Sequence, residues 1–158
     1  MVAKPISLHT YGLLNAAFRP AEEICALRSY VRQRTMLIQS TTIDIQHMQT
    51  ALTQMNLQLH HVLADITGKT GMRIIRAINA GERCPKILAG YRDHGCKNSL
   101  ATIEQALTGH YRAEHLFSLQ QALELYDIYQ EKIAACDCEI EKKLAQFSTR
   151  EISTVPLA

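Results

Sequence analysis

The chain has 158 residues, one domain's worth of material, with 47% hydrophobic and 20% charged residues, which excludes a disordered or fibrous protein. Trp is absent and aromatic residues make up only 6%, which suits an aliphatic helical core. A formal net charge of +2 names no partner by itself.

Its distribution is more informative. Residues 67–97 carry seven basic side chains (Lys69, Arg73, Arg76, Arg83, Lys86, Arg92, Lys97) against two acidic ones, a net +5. Residues 98–158 carry five basic and nine acidic side chains, a net −4. A basic middle beside an acidic tail points to an anionic partner for the middle. The five cysteines (Cys25, Cys84, Cys96, Cys136, Cys138) form no even framework, and the first eight residues lack the apolar run of an export signal. Reduced thiols in a cytoplasmic protein are therefore expected, and no stretch is apolar enough to span a membrane.

In chain order, residues 1–19 show no strong period. Pro20, followed by Glu22 and Glu23, has the form of a helix start, with proline in the first turn and carboxylates at the positive end of the dipole. Neither Gly nor Pro follows until Gly68. That allows one helix of about 47 residues over 20–66, roughly 70 Å long at 1.5 Å per residue. Ile24, Leu27, Val31, Arg34, Ile38, Thr41, Ile45, Met48, Leu52, Met55, Leu59, Val62 and Ile66 alternate steps of three and four. This is the seam of a coiled coil of about six heptads. Only Arg34 and Thr41 interrupt it, and polar seam residues tend to fix register at some cost in stability.

Shorter helices are expected next: 70–80 closed by Gly81, a second opened by Pro85, and a third capped by Asn98 or Ser99 and fading before Gly109. A last long helix is expected over 112–148. Leu116, Leu119, Leu123, Tyr126, Gln130, Ile133, Asp137, Ile140, Leu144 and Phe147 repeat the three-four alternation there. The fold class is all-α. Two long heptad-patterned helices form either an antiparallel hairpin or an intermolecular coiled coil, with a tip of short helices over 68–110. Residues 149–158 read as a tail or linker.

The residues offer no active site. Gly68-Lys69-Thr70 matches the end of a phosphate loop, but the upstream glycine is missing and a helix precedes it where a strand is required. Cys84, His94 and Cys96 supply only one side of a zinc site, and the neighbours His60 and His61 point in different directions on a helix. The acidic residues of the last helix (Glu124, Asp127, Glu131, Asp137, Glu139, Glu141) are scattered around it rather than gathered. Ser99 and Ser118 have no evident base. The basic tip, with Arg73, Arg76, Arg83, Lys86, Arg92 and Lys97, remains as the candidate nucleic-acid contact; such contact is sequence-independent and salt-sensitive. Its bland counterpart is solubilising charge, or pairing with the acidic last helix.

The tip also carries a family likeness. Residues 65–78 (DITGKTGMRIIRAI), then Ala80-Gly81-Glu82-Arg83, Pro85 and Leu88-Ala89, resemble a stretch of bacterial insertion-sequence transposases of the DEDD type. Further matches are His9 to Leu14 with Phe18-Arg19-Pro20, Glu23-Ile24-Cys25 with Leu27-Arg28, Ala51 to His60, Glu114-His115-Leu116-Phe117, and Leu125-Tyr126-Asp127. The likeness runs over roughly 8–144. It implies the helical connector between a RuvC-like N-terminal domain, whose end would be residues 1–19, and a C-terminal transposase domain. It implies metal-dependent DNA strand breakage and joining in the whole enzyme, served by three aspartates and a glutamate and by a serine that all lie outside this segment. No catalytic residue and no cofactor are therefore expected here, magnesium belonging to the missing catalytic domain. Residues 1–7 depart from the family's sequence, which suggests a late start after a deletion or rearrangement. The partners implied are DNA, with RNA as a second candidate, and further copies of the chain through the heptad helices. The other reading is a free-standing coiled-coil module that oligomerises with, or inhibits, an intact transposase.

Overall fold

The computed structural model describes the backbone of residues 22–153 and the side chains of residues 22–146. Residues 1–21 and 154–158 lie outside that range, and with them the remnant placed at 1–19, the start at Pro20 and the end of the tail; the side chain of Phe147 lies outside it too. The described chain is all-α, six packed helices: α1 (Glu22–Gln54), α2 (Leu59–Val62), α3 (Lys69–Asn79), α4 (Pro85–Gly90), α5 (Leu100–Ala106) and α6 (Ala113–Ser153). The longest contact joins α1 to α6. The two run antiparallel, since Arg34 pairs with Asp137 while Ala51 and Ala122 line one groove farther along.

The first long helix is shorter than its pattern predicts. It stops at Gln54 instead of running to residue 66. Asn56 takes a left-handed conformation, φ 59°. The Asn56 N–H donates to the Thr53 carbonyl at 2.9 Å and the Leu57 N–H to the Leu52 carbonyl at 2.8 Å, the paired bonds of a Schellman stop. Leu52 and Leu57 are both buried, supplying the apolar contact that goes with that stop. Asn is the non-glycine residue best suited to the left-handed position. The next turn is then locked from outside: the Gln58 N–H donates to the Ala106 carbonyl at 2.8 Å and the His110 N–H to the Met55 carbonyl at 3.0 Å. Gly109 makes this approach possible, because a Cβ there would lie 2.3 Å from the Met55 carbonyl oxygen.

The break sends Leu59, Leu63 and Ile66 into the tip, where they join Ile74, Ile75, Ile78, Leu88, Ile103 and Leu107 in one aliphatic core. α3 presents Thr70, Gly71, Ile74, Ile75 and Ile78 inward, a three-four spacing that makes one helical face. At Gly71 a Cβ would stand 2.0 Å from the Ile66 carbonyl oxygen, so α3 can reach this backbone only through glycine. α3 closes at Gly81 (φ 105°), where the Glu82 N–H reaches the Ala77 carbonyl at 2.9 Å and the Gly81 N–H reaches the Ile78 carbonyl at 3.1 Å. Ser99 caps α5 by accepting from the Thr102 N–H at 3.2 Å, whereas Asn98 donates from its amide to the Val62 carbonyl at 2.5 Å.

The buried line of α1 is also rotated from the predicted seam. Leu37, Thr41, Asp44, Met48, Ala51, Leu52 and Met55 are buried, while Ile24, Val31 and Ile38 are 37%, 45% and 40% exposed. Thr41, Met48, Leu52 and Met55 of the predicted seam stay buried and Ile45 is half-buried against the core, but Leu37 takes the place expected of Ile38, and Asp44 is buried beside Ile45. The Thr41 hydroxyl is satisfied within the helix, donating to the Leu37 carbonyl at 2.9 Å. On α6, Leu119, Leu123 and Ile133 face inward as expected, joined by Ala122, and Gln130 is exposed. α6 continues to Ser153, beyond the expected end at 148, and neither Gly nor Pro interrupts residues 149–153. No helix among the described residues is long and apolar enough to cross a membrane.

Candidate nucleic-acid interface

Burying one face of α3 forces its other face outward, and that face carries Lys69, Arg73 and Arg76, all exposed. Arg73 and Arg76 lie one turn apart. Arg76 forms a two-pronged pair with Asp127 of α6, its two terminal nitrogens donating to the carboxylate oxygens at 2.8 and 2.6 Å. This pair holds its guanidinium pKa above the ordinary arginine value. The pair is exposed, so it contributes at most about 1 kcal/mol to stability, and it neutralises Arg76.

Beside the paired Arg76, the other five cations expected at the tip divide into two groups. Arg83 is half-buried and works inside the fold: it donates to the Ile78 carbonyl and, at 2.8 Å, to the Glu82 carbonyl, and its guanidinium lies 4.8 Å from the centre of the Tyr111 ring. A cation there favours the negative end of α3 and the face of an aromatic ring at once. Burial pushes the Tyr111 hydroxyl's pKa up, and that hydroxyl donates to the Leu107 carbonyl at 3.1 Å. Arg92 is also half-buried and closes its own loop by donating to the Cys96 carbonyl at 2.6 Å. By contrast Arg73, Lys86 and Lys97 are exposed and form no ion pair among the described residues. Arg73 therefore stands next to Arg76 as an unneutralised cation.

Between the two arginines and α4 runs an open groove of about 580 Å³, lined by Arg73, Arg76, Ala77, Ala80, Gly90 and Tyr91. Lys97 sits elsewhere, with Lys69, Asp65 and Asp93 on a second groove of about 400 Å³. A third, apolar hollow of about 390 Å³ lies between the long helices, where Phe117 is 64% exposed beside Ala51, Ala122 and Leu125.

Sequence reasoning passed over Tyr91, although an aromatic residue beside Arg92 in a basic segment is itself a nucleic-acid signal. Arg76 with Asp127 is an instance of the pairing between basic tip and acidic last helix that the sequence offered as the bland reading, though residues 51 positions apart carry no local mark of which pair forms. The residues weighed for metal binding do not converge: no group of three His, Cys, Asp or Glu side chains is placed to hold an ion among the described residues. All five cysteines are free of disulfides. The His60 and His61 rings lie side by side, centres 4.0 Å apart and planes tilted 42° to each other. Comparison with protein-family models, with curated proteins and with solved structures gives no match to this chain in any of the three.

Proposed function

We propose that this chain is the helical connector segment of an insertion-sequence transposase, serving DNA transposition and recombination by holding nucleic acid at its tip rather than by cutting it. The observation that carries this reading is the groove beside α3, where Arg73 is exposed without a counter-charge, next to an Arg76 paired with Asp127. A cation placed like Arg73 suits phosphate, and the family likeness over 8–144 supplies the biological context. The test is fluorescence anisotropy with a labelled 20-base-pair duplex over a range of salt. Affinity is expected to fall log-linearly with salt, and Arg73→Ala to lower the slope by about 0.9. Salt-independent binding, or magnesium-dependent nicking of plasmid DNA by the purified chain, would refute the reading.

The exposed Ile24, Val31 and Ile38 favour a second reading. Three apolar residues at heptad spacing, each left 37–45% exposed on the flank of the α1–α6 contact, offer a seam to another helix. In this reading the chain is a coiled-coil module that pairs with its own copies or with an intact transposase. Light scattering of the purified chain and of Val31→Glu tests it: a monomer in both cases excludes self-association. The DNA on either side of the gene separates the two readings, since adjoining frames for a RuvC-like or a C-terminal transposase domain mark a divided enzyme.

A further inference from the structure

From the groove beside α3 we infer that Tyr91 is a stacking platform for an unpaired base, so that this site takes single-stranded nucleic acid, or a flipped-out nucleotide, in preference to a closed duplex. The inference rests on the nucleic-acid reading above and names which form of nucleic acid the site accepts.

Three features of the groove point this way. Tyr91 follows the last residue of α4 and is 40% exposed, and its hydroxyl has no hydrogen-bond partner among the described residues. A large ring in that position makes no use of its polar end within the fold. The floor is built from small residues, Ala77, Ala80 and Gly90, and a Cβ added at Gly90 would meet nothing within 4 Å. The groove is therefore open at Gly90, and Tyr91 lines the same groove. The rim carries Arg73 and Arg76, of which only Arg76 is neutralised, by Asp127. A flat hydrophobic wall, a shallow floor and a free guanidinium fit a base and its own phosphate together. Base-to-aromatic stacking needs an exposed base face, which a closed duplex keeps covered by its neighbouring pairs. Phosphate contact at Arg73 needs no such opening and is shared by both forms.

The chemistry is common to DNA and RNA, so both are probed. The full chain is titrated into labelled dT20, labelled U20 and a 20-base-pair duplex at one salt concentration, with anisotropy as the readout. At least one single strand is expected to bind about fivefold or more tighter than the duplex. Tyr91→Ala is expected to weaken single-strand binding about five- to tenfold and duplex binding by less than about twofold. Tyr91→Phe, which keeps the ring, should bind like the unaltered chain, and circular dichroism should show unchanged helix content in both variants. Arg73→Ala should weaken every probe. Duplex binding at least as tight as single-strand binding, with Tyr91→Ala silent, overturns the stacking site and leaves the basic contact standing. Absence of binding to all three probes overturns both.

Discussion

The tip and the outer half of the long helix pair are built from the same aliphatic residues but bury them differently. In the tip, Ile74, Ile75, Ile78, Leu88, Ile103 and Leu107 are wholly buried, and two glycines let backbones touch. In the outer half, the α1 face toward α6 carries Arg34, Thr41 and Asp44 beside Leu37, while Ile24, Val31 and Ile38 on its flank stay 37–45% exposed. Arg34 meets Asp137 across the pair, but both side chains are about two-fifths exposed. Asp44 is the more telling residue. It is 5% exposed, and one of its carboxylate oxygens has no partner. Short helices sealed by tertiary contacts thus hold the stable core, whereas the long helices, far more regular in sequence, are held by a seam that is partly polar. Stability follows burial and satisfaction of polar groups rather than regularity of pattern.

Substitutions sharpen this contrast. The largest effect is expected at Gly71, where an added methyl must displace the Ile66 backbone. Gly71→Ala should cost about 3 kcal/mol and lower the thermal midpoint by roughly 10 °C, whereas Val31→Ala in the outer half should change stability by less than about 0.5 kcal/mol. Equal melting of the two variants would erase the distinction between the regions.

A smaller effect of opposite sign is expected at Asp44. Burial raises its pKa in the fold, with His47 acting weakly the other way. A carboxyl whose folded pKa lies above its unfolded value binds its proton more tightly when folded. The fold therefore gains stability as pH falls through the raised pKa, a gain complete below the unfolded value of about 3.9. Asp44→Asn removes the buried charge, and should stabilise the chain at pH 7 by about 1 kcal/mol while abolishing this acid-side gain. Urea midpoints for both proteins between pH 3 and 7 decide it; a constant offset between them at every pH would show that Asp44 does not titrate with folding.

The smallest effect is expected at the stop of α1. Asn56→Gly should raise stability by about 0.5 kcal/mol, because glycine meets no Cβ penalty at a left-handed φ. A loss of stability there would mean that the Asn56 side chain contributes more than its backbone tolerance.

How much was legible is clearest at the two Schellman stops. The end of α3 could be read from Gly81, whose only common use after a helical run is a left-handed cap. The end of α1 uses the same hydrogen bonds at Asn56, yet the heptad pattern runs straight through it: Met55, Leu59, Val62 and Ile66 keep the three-four spacing because they enter another core. Periodicity over 45–66 records that these residues are buried, not against what, and over 24–38 it does not record burial, since Ile24, Val31 and Ile38 are exposed. The candidate site shows the same limit. Its cations were visible in the composition of 67–97, but Arg83 and Arg92 spend theirs on backbone carbonyls of the fold, and charge counting cannot separate those from Arg73.

By itself the sequence determined the helical class, three of the four short helices with Gly81 and Pro85 at their ends, and the concentration of positive charge in residues 67–97. Each follows from local causes: spacing, capping side chains, glycine and proline placement. Only the tertiary structure decided where the first long helix ends, which line of it meets α6, that Asp44 is buried, and that Tyr91 shares a groove with Arg73 and Arg76. Those depend on which elements come to face one another, and no residue carries that information alone.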